Sequence, residues 1–600
     1  MKTKTASVWF TLIALLLPAG LFLLIEVALR IAGYGNSYPV FVPASEPSYL
    51  MPNPAMIKRY FHNGATAPKV SPDTYYFQEK KPENEVRLVM MGGSTAAGFP
   101  YGRFGSPSGL LEARLQQAYP DKTIRVISVA LSSVNSYTLR DISEDILSIS
   151  PDAVLIYAGH NEYLGVMGVG SVYASRGGHL ANLLFLKLKN WRTFQFAQSL
   201  FASDPPDAEP DSADRTIMAT IAQSSQIAFD SEIYHLGIAQ FRSNLAAVLT
   251  TFSEAYVPTF ISTIAANESE QRPFLSVPAP GIEDLNAFLN TPDDKRIKQR
   301  QAETAVTASP DSADAHFALA TMLTGTDDKR AYRHFVYAMD NDQLRFRAPS
   351  VFNAVIRDLA RQHQASVVET HQLMRAASEG GHIGYNLMLE HLHPNERGYF
   401  LLANAFYDAL QENHILPAPT ISVTDSEAWL QRPLTPVDSL LGKLKIDSLT
   451  SDYPFTETPA PLMLPVARDK ETAFAIERFR GTGLLSQLPQ LITYYQQQDR
   501  WQDAANAATA LASALPFNPE TAQLAAQITL RAGQPGRAWF FARQAVSLQP
   551  DDLSYQLTLA ESQFKAGHTK RAITQLQESQ SQFPDNPKPA YFLKQLGVRE

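Results

Sequence analysis

At 600 residues, 45% of them apolar, the chain exceeds one ordinary core and predicts several folded units rather than long disorder. A formal net charge of -8, with no basic cluster beyond the first residues, argues against a nucleic-acid surface. With no cysteine, a disulfide framework, a thiolate nucleophile and a zinc-thiolate site are excluded, and every compartment stays open.

Val8 to Ile25 is almost continuously apolar and long enough to cross a bilayer as a helix. Lys2 and Lys4 precede it and only Arg30 follows closely, which orients the N-terminus to the cytoplasm and the bulk of the chain to the extracytoplasmic, periplasmic side. A cleaved signal peptide is the rival reading, but no small-x-small cleavage site precedes the polar segment. Leu17 Pro18 Ala19 Gly20 lacks the cysteine of a lipoprotein signal. Residues 1–35 therefore read as an uncleaved transmembrane signal anchor, with Glu26 reaching toward the headgroups, and 36–84 as a Pro-rich tether.

From there strands and helices alternate. Glu85–Met91, Ile124–Leu131, Ala153–Tyr157, Thr259–Ile264 and Val367–Val368 read as strands; Leu110–Ala118, Tyr137–Ile149, Ile233–Phe252 and Leu401–Leu410 read as helices. This order predicts an α/β domain over 85–412 with a parallel sheet, whose ligands sit beyond the carboxyl ends of the strands. Leu164 to Ser231, with an acidic loop at Asp204–Asp214, reads as a lid or cleft wall, and 294–340 as an inserted helical pair with Ala320 and Ala331 on its facing sides. A connector, 413–471, leads to a helical region, 472–600. There Pro516, Pro550 and Pro584 recur every 34 residues, as do Ala504, Ala538 and Ala572, and Asp499, Gly533 and Gly567. That period, with small residues at the helix crossing, is the tetratricopeptide (TPR) signature of an all-α solenoid, which offers a surface to a protein partner or braces its neighbour.

Three short stretches carry chemistry. Ser94 follows Gly92 and Gly93 at a strand end, where a sharp turn exposes a hydroxyl; no Gly-Lys-Ser/Thr follows, so the stretch is not a phosphate loop. Asn161, in Gly159 His160 Asn161 Glu162, offers an amide to a developing oxyanion, or else caps the strand as an Asx turn. Glu390 lies three residues before His393, placing a carboxylate beside an imidazole to orient it, or else forming a helix-surface pair. His382, His391 and His393 lack the companions of a metal site, so no metal and no cofactor are expected.

In this order the blocks resemble those of the SGNH, or GDSL-like, hydrolase superfamily, over about Val86 to Leu410. The resemblance implies a flavodoxin-like three-layer fold. It also implies Ser94 as nucleophile, His393 as general base and then acid, and Glu390 as the orienting carboxylate. The oxyanion donors would be the Ser94 and Ser133 backbone N–H groups and the Asn161 amide. The chain departs from the family at Gly93 and Glu390, where the family has Asp, and at Ser133, where it has Gly. His160, Glu162 and Asn267 are weaker substrate-contact candidates, and the inserts between Asn161 and Glu390 are expected to set the substrate. The leading expectation is a membrane-anchored serine esterase acting on a lipid or glycan ester. The alternatives are acyl (acetyl) transfer to, or deacetylation of, a cell-surface glycan, and a TPR scaffold with a vestigial hydrolase domain.

Overall fold

The computed structural model describes residues 2–61, 64, 67–170, 178–201 and 226–598, without the side chains of 2–13, 15 and 201. The acidic loop Asp204–Asp214 lies outside the described residues. The chain opens with helix α1, Lys2–Ile31. Among the described residues no helix is long and apolar enough to cross a membrane, and the first part of the run Val8–Ile25 falls outside the described side chains. The C-terminal half of α1 docks on the protein. Phe22 meets Trp191 at 5.2 Å between ring centroids, and Glu26 accepts hydrogen bonds from Thr193 N (2.8 Å) and Arg30 Nε (2.7 Å). Glu26 is thus buried against the chain rather than turned outward.

Segment 36–84 is more than a tether. It forms an antiparallel sheet of β1 (Phe41–Pro43), β2 (Tyr49–Pro52) and β3 (Phe77–Gln78), and Val40, Met56, Tyr75 and Phe77 join the main core. Pro43 and Pro52 end β1 and β2 by removing ladder donors, but they leave the aromatic side chains free to pack.

The central sheet contains β4 (Glu85–Gly92), β5 (Thr123–Ser128), β6 (Ala153–Tyr157), β7 (Thr259–Ser262) and β8 (Ser366–Val368). All are parallel, in the order β5-β4-β6-β7-β8. Leu88 to Met91 and Ala153 to Ile156 are wholly buried, as expected of strands covered on both faces. One layer of helices comprises α4 (Ser136–Leu147), α7 (Glu232–Glu254) and α12 (Val351–Gln362). The other comprises α3 (Pro107–Ala118), α13 (Thr370–Ala376) and α14 (Glu396–Glu412). Between them in the chain lie the short α2 (Ser94–Ala97), α5 (Gly178–Leu188) and α6 (Arg192–Phe201). The strand order reverses between β4 and β6, and in such sheets the crevice at that switch point is where ligands bind.

The expected helical pair at 294–340 is three helices, α9 (Lys295–Ala308), α10 (Ala313–Leu323) and α11 (Asp328–Asn341). They share a small core with the preceding α8 (Leu285–Asn290), and Ala320 and Ala331 are fully buried in it. The connector carries α15 (Asp425–Leu430) and α16 (Pro436–Thr450), and α17 (Lys470–Phe479) leads into the array. The array then runs as helix pairs, Leu484–Gln497 with Trp501–Ala514, Pro519–Arg531 with Pro535–Leu548, and Leu553–Lys565 with Thr569–Gln582.

The 34-residue interval has a direct backbone cause. Asp499, Gly533 and Gly567 take φ of 53°, 74° and 85°, the left-handed residues that end the first helix of each pair. Ala504, Ala538 and Ala572 are fully buried, where only a small side chain lets the helices approach. The second helices face the α/β domain: Arg543 Nε donates to Pro120 O (2.9 Å), and Ser513 O accepts from Arg103 (3.0 Å). Phe104 also joins the array's own core, so the solenoid braces the sheet domain.

Candidate active site

Gly92 ends β4 where the Tyr157 carbonyl crosses so closely that a Cβ would lie 2.0 Å from its oxygen, so only glycine fits. Gly93 then adopts an extended N-cap conformation and Ser94 opens α2. The first N–H groups of a helix have no intrahelical acceptor, so the Ser94 amide is available to a ligand.

His393 comes from the loop between α13 and α14. Leu389 N donates to His393 O (2.8 Å) and Asn395 N to Leu387 O (2.9 Å), folding the loop back on itself. This turn places Glu390 beneath the histidine. Glu390 Oε1 accepts the His393 backbone N–H (2.9 Å) and also lies in hydrogen-bond contact with His393 Nδ1. On the far side of the ring, Ser94 Oγ is 2.8 Å from His393 Nε2. With Nδ1–H donating to the carboxylate, Nε2 carries the lone pair and accepts the Ser94 hydroxyl proton. Burial pushes the His393 imidazole well below its ordinary value, so it rests neutral. The Phe99 ring, 4.7 Å from the imidazole, is part of that apolar cover.

Asn161 and Ser133 approach from the neighbouring loops. A Cβ on Gly93 would lie 3.1 Å from Asn161 Nδ2, so the amide stands directly over the turn that carries Ser94, and Asp at that position would crowd it. After β5 the chain continues along β4, with Leu131 N bonded to Gly92 O (3.1 Å), then turns at Ser133 with φ of 65°. The turn expected of glycine therefore survives with a serine in it. A non-glycine residue there costs on the order of 1 kcal/mol. Ser133→Gly is expected to raise stability by about that amount in denaturant unfolding; an unchanged or lowered midpoint would show that the serine side chain compensates.

Ser94, Ser133, Asn161 and His393 open on a cleft of about 300 Å³ whose other walls include Val70, Phe99, Leu164, Phe346, Leu392 and Leu449. These walls are apolar, and they come from segment 36–84, from the turn after α2, from beyond β6 and from the connector helix α16. The helices at 294–340, expected to set the substrate, supply none of them. His391 also lines the cleft. Its Nδ1 lies against Glu390 Oε2 without hydrogen-bond orientation, and Phe274, Phe346 and Phe455 ring it at 5.4 to 5.8 Å.

The weaker candidates sit elsewhere. His160 is buried with both ring nitrogens engaged, Nδ1 accepting from Ala348 N (3.2 Å) and Nε2 facing Ala265 O (3.2 Å), and burial holds it neutral, down to about 3. Glu162 is fully buried and points away from the cleft. Its carboxylate accepts Ser136 N (3.1 Å), Ser136 Oγ (2.6 Å) and Gln240 Nε2 (2.5 Å), pinning the Asn161 loop to the start of α4; burial raises it to about 7. Asn267 is wholly buried, its Oδ1 accepting Glu270 N and Gln271 N, both at 3.0 Å, while its own N–H holds His391 O (3.0 Å). These three residues support the loops of the site rather than face its cleft. Among the described residues no group of three or more His, Cys, Asp or Glu side chains could hold a metal ion.

A family model for the anaphase-promoting complex, cyclosome, subunit 3, matches residues 497–579. No curated protein matches the chain. Among solved structures the chain is similar to Axe2, an acetylxylan esterase from Geobacillus stearothermophilus, at 14% identity and a TM-score of 0.27, covering 56% of this chain and 96% of that one. A catalytic mutant of the same enzyme matches at 13% identity and TM-score 0.27, covering 56% and 96%. The TPR2AB domain of yeast Sti1 in complex with pHSP90 matches at 11% identity and TM-score 0.17, covering 52% and 93%.

Proposed function

We propose that this chain, which resembles SGNH hydrolases in its α/β domain, cleaves an ester through an acyl-enzyme on Ser94. One observation carries the reading: the unbroken relay from Ser94 Oγ through His393 to Glu390 at the mouth of a cleft. In this reading Ser94 Oγ attacks the ester carbon while its proton passes to His393 Nε2. The oxyanion is held by the backbone N–H groups of Ser94 and Ser133 and by Asn161 Nδ2. Collapse breaks the carbon–oxygen bond to the alcohol, which leaves with the proton from His393. Water, deprotonated by the same nitrogen, then attacks the acyl carbon and Ser94 regains its proton as the acid departs. A fluorophosphonate probe tests this: peptide mapping should find the adduct on Ser94, and an unmodified Ser94 sinks the assignment.

The apolar walls favour an ester carrying a hydrocarbon chain over an acetyl ester, which would leave most of the 300 Å³ unfilled. Burying a methylene contributes about 0.8 kcal/mol, so kcat/KM should rise up to about fourfold per added carbon along a series of p-nitrophenyl esters until the cleft is full. A series in which the acetate is fastest overturns this preference. Anchoring at an extracytoplasmic membrane face belongs to the same proposal and rests on Lys2, Lys4 and the run Val8–Ile25; complete release of the full chain from membranes by alkaline carbonate would refute it.

A further inference from the structure

A second cavity, of about 270 Å³, lies past the carboxyl ends of β7 and β8, where α11 closes over them. Ser94 and His393 do not line it, and His160, already fully engaged, is its nearest link to them. Glu268 lines it and is 2% exposed. One of its carboxylate oxygens pairs with His371 Nε2 at 2.6 Å, but Oε2 has no partner. A buried acceptor left bare costs roughly 1 to 3 kcal/mol or more, so this position is built to meet a donor.

We propose that this cavity is a second ligand site, for a neutral polyhydroxylated ligand of about monosaccharide size. The balance of charge selects neutrality. Arg357 is neutralised by a two-pronged pair with Glu369, at 2.7 Å for each bond, whereas Arg375 has no carboxylate partner among the described residues and donates its Nε–H to Gly381 O at 2.9 Å. Arg375 instead lies on the Tyr332 ring, 3.4 Å from its centroid. One carboxylate and one guanidinium then face the same space, so an anion meets Glu268 and a cation meets Arg375. A hydroxyl-rich ring escapes this opposition because each hydroxyl both donates, to Glu268 Oε2, and accepts, from Arg375. Ile264, Val336 and Met339 supply an apolar wall for the C–H face of such a ring. Drug-sized ligands occupy pockets of roughly 300 to 1,000 Å³, so a cavity below that range suits something smaller.

The test uses the full chain with Ser94 blocked by fluorophosphonate, so that binding is read apart from ester chemistry and the inference does not depend on turnover. Glucose, xylose and myo-inositol serve as neutral probes, and alanine and inorganic phosphate as charged ones, in saturation-transfer NMR and calorimetry. Saturable binding of a neutral probe in the millimolar range is expected, weakened roughly tenfold or more by Glu268→Gln and by Arg375→Met. Thermal unfolding of both variants checks that they are folded. No saturable neutral probe at tens of millimolar, binding of the charged probes alone, or neutral binding unchanged in both folded variants overturns the proposal.

Discussion

Ser94→Ala is expected to abolish ester turnover, lowering kcat on the order of 10⁵- to 10⁶-fold, while leaving the fold intact. The size follows from the proposed relay: in that mechanism there is no covalent intermediate without Oγ, and the oxyanion donors alone retain only a small residue of catalysis. His393→Ala should cost nearly as much, and the double variant no more than the worse single one, because the two groups act as one unit. Ser94 is only partly buried and its one side-chain bond among the described residues is to His393, so its removal should shift the unfolding midpoint by little. A Ser94→Ala protein that still turns over p-nitrophenyl butyrate within tenfold of the parent would place the chemistry elsewhere.

The parts of this site that were legible in the sequence are those whose spacing is local. Gly92, Gly93 and Ser94 announce a strand-end turn because only glycine allows the Tyr157 carbonyl so near, and Glu390 and His393 sit three apart because one loop turn joins them. The 34-residue period was legible for the same reason, since a left-handed residue must end each first helix. The cleft walls were not. Val70, Phe346 and Leu449 meet only through the folding of segments more than a hundred residues apart, and each alone is an ordinary apolar residue. The prolines of 36–84 suggested a tether, yet Tyr75 and Phe77 among them have no other place to bury their rings than the main core. Glu162 and Asn267 show the opposite case. Polar residues at strand ends are as useful for satisfying loop N–H groups as for touching substrate, and here the side-chain oxygens of both accept backbone N–H groups within the protein.

Glu390→Gln is expected to lower kcat by roughly 10²- to 10⁴-fold, with a signature that separates orientation from structure. Glu390 has two oxygens and four neighbours: Oε1 takes His393 N at 2.9 Å and contacts its Nδ1, while Oε2 takes Leu392 N at 3.3 Å and contacts His391 Nδ1. In glutamine one of those positions becomes a donor. If the NH₂ replaces Oε1 it faces Nδ1, which must then accept, and the proton moves to Nε2, the nitrogen that has to receive the Ser94 proton. If it replaces Oε2 it faces the Leu392 N–H and lies beside His391, which burial keeps neutral, leaving the Oε1 contact with His393 Nδ1 in place. The tautomer then survives and only the stabilisation of the cationic imidazole is lost. Both outcomes leave His393 easier to keep neutral, since a carboxylate beside an imidazole raises its proton affinity and an amide does not. The plateau of kcat/KM should therefore fall while its acid limb, already displaced below the ordinary histidine value by burial, moves to still lower pH. Glu390→Asp keeps the charge but withdraws it by one methylene, so it should recover part of the plateau and shift the acid limb back. A Glu390→Gln plateau within a few-fold of the parent, with the acid limb unmoved, would mean that this carboxylate only braces the loop through its two backbone bonds.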